Sequence, residues 1–181
     1  MKLLKLVVCA LLLAFPCSPQ AYATGGQGQE SLRNFVQGFY DWYVPKALSN
    51  NSGPAWNVAL KAKGGYFSRE LDLRLQEDSD AQAKSDGDIV GLDFDPFLNS
   101  QDPEGGYRVG VIKQKRGGYW VNIDDNLPGE KGGKVVVVAE LAYKDGQWQF
   151  VNFHYPNGYD LLSVLKALRE NRGGPSVSEG Q

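Results

Sequence analysis

The chain has 181 residues, of which 42% are hydrophobic, with 19 basic and 21 acidic side chains and one histidine. Its net charge of −2 argues against a nucleic-acid partner, which requires a basic face, and two cysteines with one histidine cannot complete a zinc finger or ribbon. This length is enough for one domain with its own hydrophobic core.

The first 23 residues have the pattern of a signal peptide. Two lysines precede an apolar run at positions 6–15, and Ala21 and Ala23 are small residues at the two positions that signal peptidase reads. The run is half the length of about 20 residues that a transmembrane helix needs. We therefore predict cleavage after Ala23, a periplasmic or secreted protein, and no transmembrane segment. Lipid anchoring through Cys17 is the alternative, which the proline immediately before Cys17 fits poorly.

Both cysteines lie in this predicted leader, so the predicted mature chain of 158 residues contains no disulfide and depends on its core for stability. Removal of the two leader lysines leaves 17 basic residues against 21 acidic ones, a net charge of −4. That balance gives no reason to expect docking on anionic lipid.

Three helices are predicted in the first half of the domain. Residues 24–30 are polar and glycine-rich and are predicted to be a flexible spacer. SLRNFVQGFYDWYV then has helical apolar spacing, with Ser31 as N-cap and an end at Pro45. WNVALKAK predicts a short helix, and FSRELDLRLQEDSDAQAK predicts a longer one that begins at the cap Ser68.

The second half changes to the alternation of strands. YRVGVIKQ, GYWVNID, KVVVVAELAYK and QWQFVNFHY predict four strands, and the turn signals RGG and KDG predict antiparallel neighbours in a meander. YDLLSVLKALR predicts a closing helix, and residues 171–181 are predicted to be a disordered tail. We predict one α+β domain over residues 31–170, with its N-terminal helices on one face of the sheet.

Val135 to Val138 alternate between the two faces of the third strand, so both faces are apolar there. This pattern predicts cover on both sides of the sheet. The helices supply one side, and either the last helix or a second subunit of a homodimer supplies the other.

An ordered set of short stretches resembles a known family. The stretches are FYDWY at 39–43, FSREL at 67–71, DFDPF at 93–97 and GQWQF at 146–150, and together with Phe35 and Tyr155 they span most of the predicted mature chain. The set resembles the bacterial domain-of-unknown-function family 3828, whose members are envelope proteins. The resemblance implies a curved, cone-like sheet related to nuclear transport factor 2. That family has no established catalytic residues to transfer.

The stretch GLDFDPFLNSQDPEGG, residues 91–106, holds three of the six candidate site residues, and we call it the acidic loop. Counted from Asp93, it lacks the third oxygen ligand and the central glycine of an EF-hand. A looser calcium site formed by Asp93, Asp95 and Asp102 is an alternative. The favoured interpretation is structural, with aromatic side chains anchoring the loop while Asp side chains bond backbone N–H groups.

His154 is the single histidine and a candidate general base. Strand alternation places it on the same face as Trp148 and Phe150 unless a bulge intervenes. In that role its catalytic partner would be Tyr40, Asp41 or Tyr43 of the first helix. A structural role for His154 is favoured, because no catalytic motif surrounds this histidine.

Trp42 lies off the apolar stripe of the first helix and is therefore a candidate to line a pocket or contact a partner.

The favoured function is a non-catalytic binding domain of the Gram-negative envelope, which takes a partner protein or a small ligand. The alternative is a small-molecule enzyme with a cone pocket that uses His154 or an Asp as general base. No cofactor, metal or nucleic acid is predicted. The candidate binding residues are Tyr40, Trp42, Asp93, Asp95, Asp102 and His154.

Overall fold

Four helices and four strands make up the part of the chain that the computed structural model describes, which is residues 25–49, 53–125 and 133–173. The predicted signal peptide, Cys17 and residues 174–181 lie outside these ranges. The predicted α+β class is confirmed, with three helices before the sheet and one after it. The helices are α1 Gly25–Ala47, α2 Ala55–Lys63, α3 Arg69–Lys84 and α4 Leu161–Gly173, and the strands are β1 Tyr107–Lys115, β2 Gly118–Asp125, β3 Val135–Lys144 and β4 Gln147–His154.

The sheet is the predicted antiparallel meander, with its strands in the order β1-β2-β3-β4. Two tight turns make this order possible. Gly117 has φ of +92° between β1 and β2, and Asp145 and Gly146 have φ of +53° and +83° between β3 and β4. Backbone in this region strains most side chains, which explains why glycine occupies these turns.

Helix α1 lies across the inner face of the sheet and contacts both edge strands. Its apolar side chains are buried against the sheet. The ring centroids of Phe39 and of Phe150 in β4 are 4.9 Å apart. At the opposite edge Arg33 donates to the carbonyl oxygens of Val109 and Gly110 of β1, at 2.7 and 2.9 Å. One helix therefore contacts both edge strands of the sheet.

The start of α1 corrects the prediction for residues 24–30. The helix begins at Gly25, so the stretch predicted to be a spacer forms its first turns. Adding residues to the end of a helix that is already docked costs little free energy, because each added residue gains one backbone hydrogen bond. Ser31 is therefore not an N-cap, and its hydroxyl instead accepts a hydrogen bond from Trp148 Nε1 at 3.2 Å. The helix also continues two residues beyond Pro45, to Ala47.

A bulge in β4 corrects the predicted face of His154. Phe150 pairs with Leu141 while Asn152 pairs with Glu140, so Val151 is an extra residue in β4. After this residue the alternation is reversed. Phe150 is buried in the core, whereas His154 pairs with Val138 on the outer face of the sheet. The expectation that His154 shares a face with Trp148 and Phe150 is therefore wrong.

The outer face of β3 is covered by side chains of the neighbouring strands. Trp120 of β2 and His154 of β4 stack above β3 with ring centroids 4.2 Å apart, and His154 Nε2 lies 2.8 Å from Glu140 Oε2. We call Trp120, Glu140 and His154 the outer-face cluster.

Helix α4 packs against α3 and β4, with Leu161 and Leu165 in the core. Within the described ranges, no helix has the length and apolar character needed to cross a membrane.

A buried ion pair connects α3 to the end of α4. Asp78 is fully buried, and its carboxylate accepts from Arg172 at 2.6 Å and from the backbone N–H of Leu92 at 2.8 Å. Gly91 lies directly against this carboxylate, because an added Cβ would lie 2.7 Å from Asp78 Oδ2. Residues 171–173 were predicted to belong to a disordered tail, but they are helical because Arg172 supplies the charge that the buried Asp78 requires.

Replacing Arg172 with Met should lower the free energy of unfolding by about 3 kcal/mol, since it leaves a buried carboxylate without its cation. The control is Arg169→Met on the exposed side of the same helix, which should change that free energy by less than about 0.5 kcal/mol. Urea denaturation of both variants measures the difference. Equal unfolding midpoints would show that the ion pair does not hold α4 in place.

Candidate functional site

The acidic loop is organised around one carboxylate, that of Asp95. Its Oδ1 accepts from the backbone N–H groups of Phe97 and Leu98, at 3.0 and 3.1 Å. The backbone N–H of Asp95 donates to Ser100 O at 2.7 Å, and Asn99 turns the chain with φ of +52°. Asp95 therefore does what the structural interpretation predicts, because it satisfies the N–H groups of a tight turn that Phe97 anchors in the core.

Three tyrosine hydroxyls hold the loop from the inside. Tyr43 donates to Asp95 Oδ2, Tyr40 donates to the carbonyl oxygen of Phe97 at 2.9 Å, and Tyr155 donates to the carbonyl oxygen of Pro96 at 3.1 Å. Tyr40 and Tyr43 come from the buried face of α1, and Tyr155 directly follows β4. The candidate Tyr40 is therefore a buried anchor of the loop.

The surroundings of Asp95 change its acidity. Burial raises the pKa of Asp95 to about 6, although the hydrogen bonds from Tyr43 and from the backbone act in the opposite direction. Burial, together with the negative charge of Asp95, raises the pKa of Tyr43 well above its usual value and that of Tyr107 to about 12. The Asp95 carboxyl group therefore changes its charge in the range where many proteins operate.

The outer side of the acidic loop forms one wall of an open cleft of about 440 Å³. The other walls come from the end of α1, the start of α2, the end of α3 and the segment that follows α3. Trp56 of α2 and Phe94 of the loop supply aromatic surface, and Ile89, which is 76% exposed, also lines the cleft. This volume lies within the range of small-molecule sites.

Two of the three candidate aspartates line this cleft. Asp95 is half-buried, and Asp93 is exposed and accepts a hydrogen bond from Gln101 at 3.2 Å. Asp102 is exposed and is not among the lining residues that the structure describes. The calcium alternative is not supported by this geometry, since nowhere in the described ranges do three or more Asp, Glu, His or Cys side chains converge as metal ligands.

The remaining candidates, Trp42 and His154, lie away from the cleft. Trp42 is half-buried, and the amino groups of Lys46 and Lys63 lie 4.2 and 5.4 Å from its ring centroid. His154 belongs to the outer-face cluster, where its partner is Glu140. The tyrosines proposed as its partners bond the acidic loop instead.

Sequence reasoning missed Trp56, Gln82 and Ile89 as cleft residues. Gln82 has no local signal, because its role depends on distant backbone groups: its Oε1 accepts from the N–H groups of Val90 and Gly91, at 2.9 and 3.0 Å. Ile89 had one signal, which is its position as an isolated large apolar residue directly after the turn SDGD.

Comparison of the chain with protein-family models, with curated proteins and with solved structures finds no match. The resemblance to family 3828 therefore stays a prediction. The functional interpretation of the candidate site therefore rests on the geometry of its residues.

Asp95 should make the domain less stable as pH rises. The folded protein holds the Asp95 proton up to about pH 6, whereas the unfolded chain releases it near the ordinary value of 3.8. Asp95 therefore stabilises the fold fully below about pH 4, and this contribution is lost as pH rises to about 6. In Asp95→Asn the amide oxygen still accepts the two backbone N–H bonds, and the amide nitrogen replaces the oxygen that accepts from Tyr43. The cost of that replacement does not depend on pH, so the change of the stability difference with pH reports the titration.

Urea denaturation at pH 4.5 and 7.5 compares wild type with Asp95→Asn. We expect the variant to gain stability relative to wild type at the higher pH. Asp102→Asn, an exposed carboxyl group of the same loop, is the control and should follow wild type at both pH values. A constant difference between wild type and Asp95→Asn would mean that Asp95 does not titrate in this window.

Tyr43→Phe should raise the pKa of Asp95 further, because the hydroxyl of Tyr43 donates to the ionised carboxylate and favours that form. Carbon-detected NMR titration of the Asp95 carboxyl group measures the change. Tyr66→Phe is the control, since Tyr66 packs on Phe35 away from the loop. An unchanged or lowered Asp95 pKa in Tyr43→Phe would contradict the assigned hydrogen bond.

Proposed function

We propose that this protein is an exported binding module of the Gram-negative envelope, and that it takes a small ligand in the cleft beside the acidic loop. The observation that carries this proposal is the cleft itself, which combines aromatic walls with a half-buried carboxylate of raised pKa. Pockets that are largely apolar and contain a few fixed polar groups are the usual form of small-molecule sites.

The cleft walls are fixed before any ligand arrives. Asp95 and the three tyrosines hold the acidic loop, and Gln82 holds the segment after α3 through two backbone N–H groups. Arg172 reaches the same segment through the carbonyl oxygen of Val90, at 2.9 Å. Walls held in this way lose little conformational freedom on binding, which favours a binding role.

Export is supported by the first 23 residues of the sequence. The basic start, the apolar run at positions 6–15 and the small residues Ala21 and Ala23 are the features that a signal peptidase substrate needs. Lipid attachment at Cys17 is the alternative route to the envelope.

A small-molecule enzyme is the second candidate function, and Asp95 is the residue that favours it. A carboxyl group with a pKa of about 6 beside a cleft is suited to act as a general base. However, the structural hydrogen bonds of Asp95 use both of its oxygens. His154 does not line the cleft and lies on the outer face of the sheet, so it is a weaker candidate base.

A fragment screen by saturation-transfer NMR tests the binding proposal with a matched pair of variants. Gln101→Trp places a large ring at the cleft wall, and Gln114→Trp places the same ring on an exposed position of β1 outside the cleft. Fragments that bind wild type should lose their signal with Gln101→Trp and keep it with Gln114→Trp. If no fragment distinguishes the two variants, the cleft is not the binding site.

A further inference from the structure

The charge of the cleft has one sign. Among the lining residues that the structure describes, the charged side chains are Asp93 and Asp95, and neither Lys nor Arg contributes to the walls. A ligand that carries a negative charge would meet repulsion from both carboxylates, and it would find no cation in the walls to offset that repulsion. A ligand that carries a positive charge would be attracted by the exposed carboxylate of Asp93 and by the charge of Asp95, whose carboxylate is held inside the loop.

Asp93 keeps more unused acceptor positions than Asp95. A carboxylate has about four acceptor sites, and Asp95 uses three of them, for Tyr43 and for two backbone N–H groups. Asp93 uses one in the hydrogen bonds that the structure shows, for the Gln101 amide. The polar end of the cleft therefore offers acceptors, and the complementary ligand group is a donor with several N–H bonds.

The two amide side chains of the cleft donate their hydrogen bonds within the protein. Gln82 gives its amide nitrogen to the Ser85 hydroxyl and to the carbonyl oxygen of Asp88, at 3.0 and 2.8 Å. Gln101 gives its amide nitrogen to Asp93. These commitments add to the preference for a ligand that donates hydrogen bonds over one that accepts them.

The remaining walls favour an apolar body on such a ligand. Trp56 and Phe94 present aromatic surface, and Leu92 adds aliphatic surface. Ile89 is 76% exposed, so a bound apolar group would remove this side chain from water. Aromatic faces also attract cations. A bare metal ion would use none of this apolar surface.

We infer that the cleft takes an organic cation, a protonated amine on an apolar body, with the ammonium group on the carboxylate of Asp93 and the apolar body against Trp56, Phe94 and Ile89. This inference rests on the proposed binding function and adds the chemical class of the ligand. Asp93 is its specificity-determining residue, since Asp95 is already needed to hold the loop.

Three probes with the same aromatic body and different head groups test the charge preference. They are 2-phenylethylamine, 2-phenylethanol and 3-phenylpropionate, which are cationic, neutral and anionic at pH 7.5. Backbone amide NMR of the wild-type domain records the dissociation constant and the residues that shift. We expect the amine to bind at least about tenfold more tightly than the alcohol, with shifts at cleft residues, and the carboxylate to show no shifts there.

The variant Asp93→Asn keeps the shape of the side chain and removes its charge. It should weaken binding of 2-phenylethylamine by about tenfold and leave 2-phenylethanol unchanged. The matched control is Asp102→Asn, which removes a carboxylate from the same loop outside the cleft and should leave the amine affinity unchanged. Equal losses in both variants would mean a general effect of net charge and would overturn the assignment to Asp93.

The outcomes separate this inference from the proposed function. If the three probes shift the cleft residues equally, or the carboxylate binds best, the cleft is a ligand site without a preference for cations and only the inference fails. If none of the probes shifts the cleft residues, the inference fails, and the fragment screen with Gln101→Trp and Gln114→Trp decides the proposed function independently.

Discussion

The hydrogen bonds accepted by the Asp95 carboxylate are the interactions on which the rest of the site depends. This carboxylate closes a tight turn through two backbone N–H groups and receives the Tyr43 hydroxyl from α1, so one side chain connects the first helix to the loop before the sheet. Its burial raises its pKa, which means that the same group that fixes the loop also resists ionisation. A change at Asp95 would therefore affect both the structure of the loop and any function of the cleft.

Helix α1 explains why such a loop can be held so firmly. Phe39 contacts the core of the sheet while Arg33 binds the carbonyl oxygens of β1, so the helix is fixed to both edges of the sheet. The loop then lies on a surface that is already rigid. A second anchor, the buried pair of Asp78 and Arg172, fixes the segment after α3, which also lines the cleft. Two separate sets of contacts therefore hold the acidic loop and this segment in place.

The bulge in β4 divides the chemistry of the sheet between its two faces. One extra residue, Val151, allows Phe150 and Phe153 to enter the same core although they lie three positions apart. It also directs His154 outward, where it stacks on Trp120 and bonds Glu140. The histidine and the acidic loop consequently lie on separate surfaces. His154 does not line the cleft, whose only charged groups among the described residues are carboxylates.

Local patterns in the sequence were sufficient to predict the helices, the four strands, the meander and the α+β class, because apolar periodicity and turn residues act over a few positions. The role of Asp95 as a turn former was also predicted, since its N–H partners are two and three residues away. Only the tertiary structure decided the face of His154, the helical ends at Gly25 and Gly173, and the cleft. The end at Gly173 depends on the contact of Arg172 with Asp78, and no local pattern encodes a partner that lies 94 positions away. The face of His154 depends on the bulge in β4, which exists only once β3 and β4 pair.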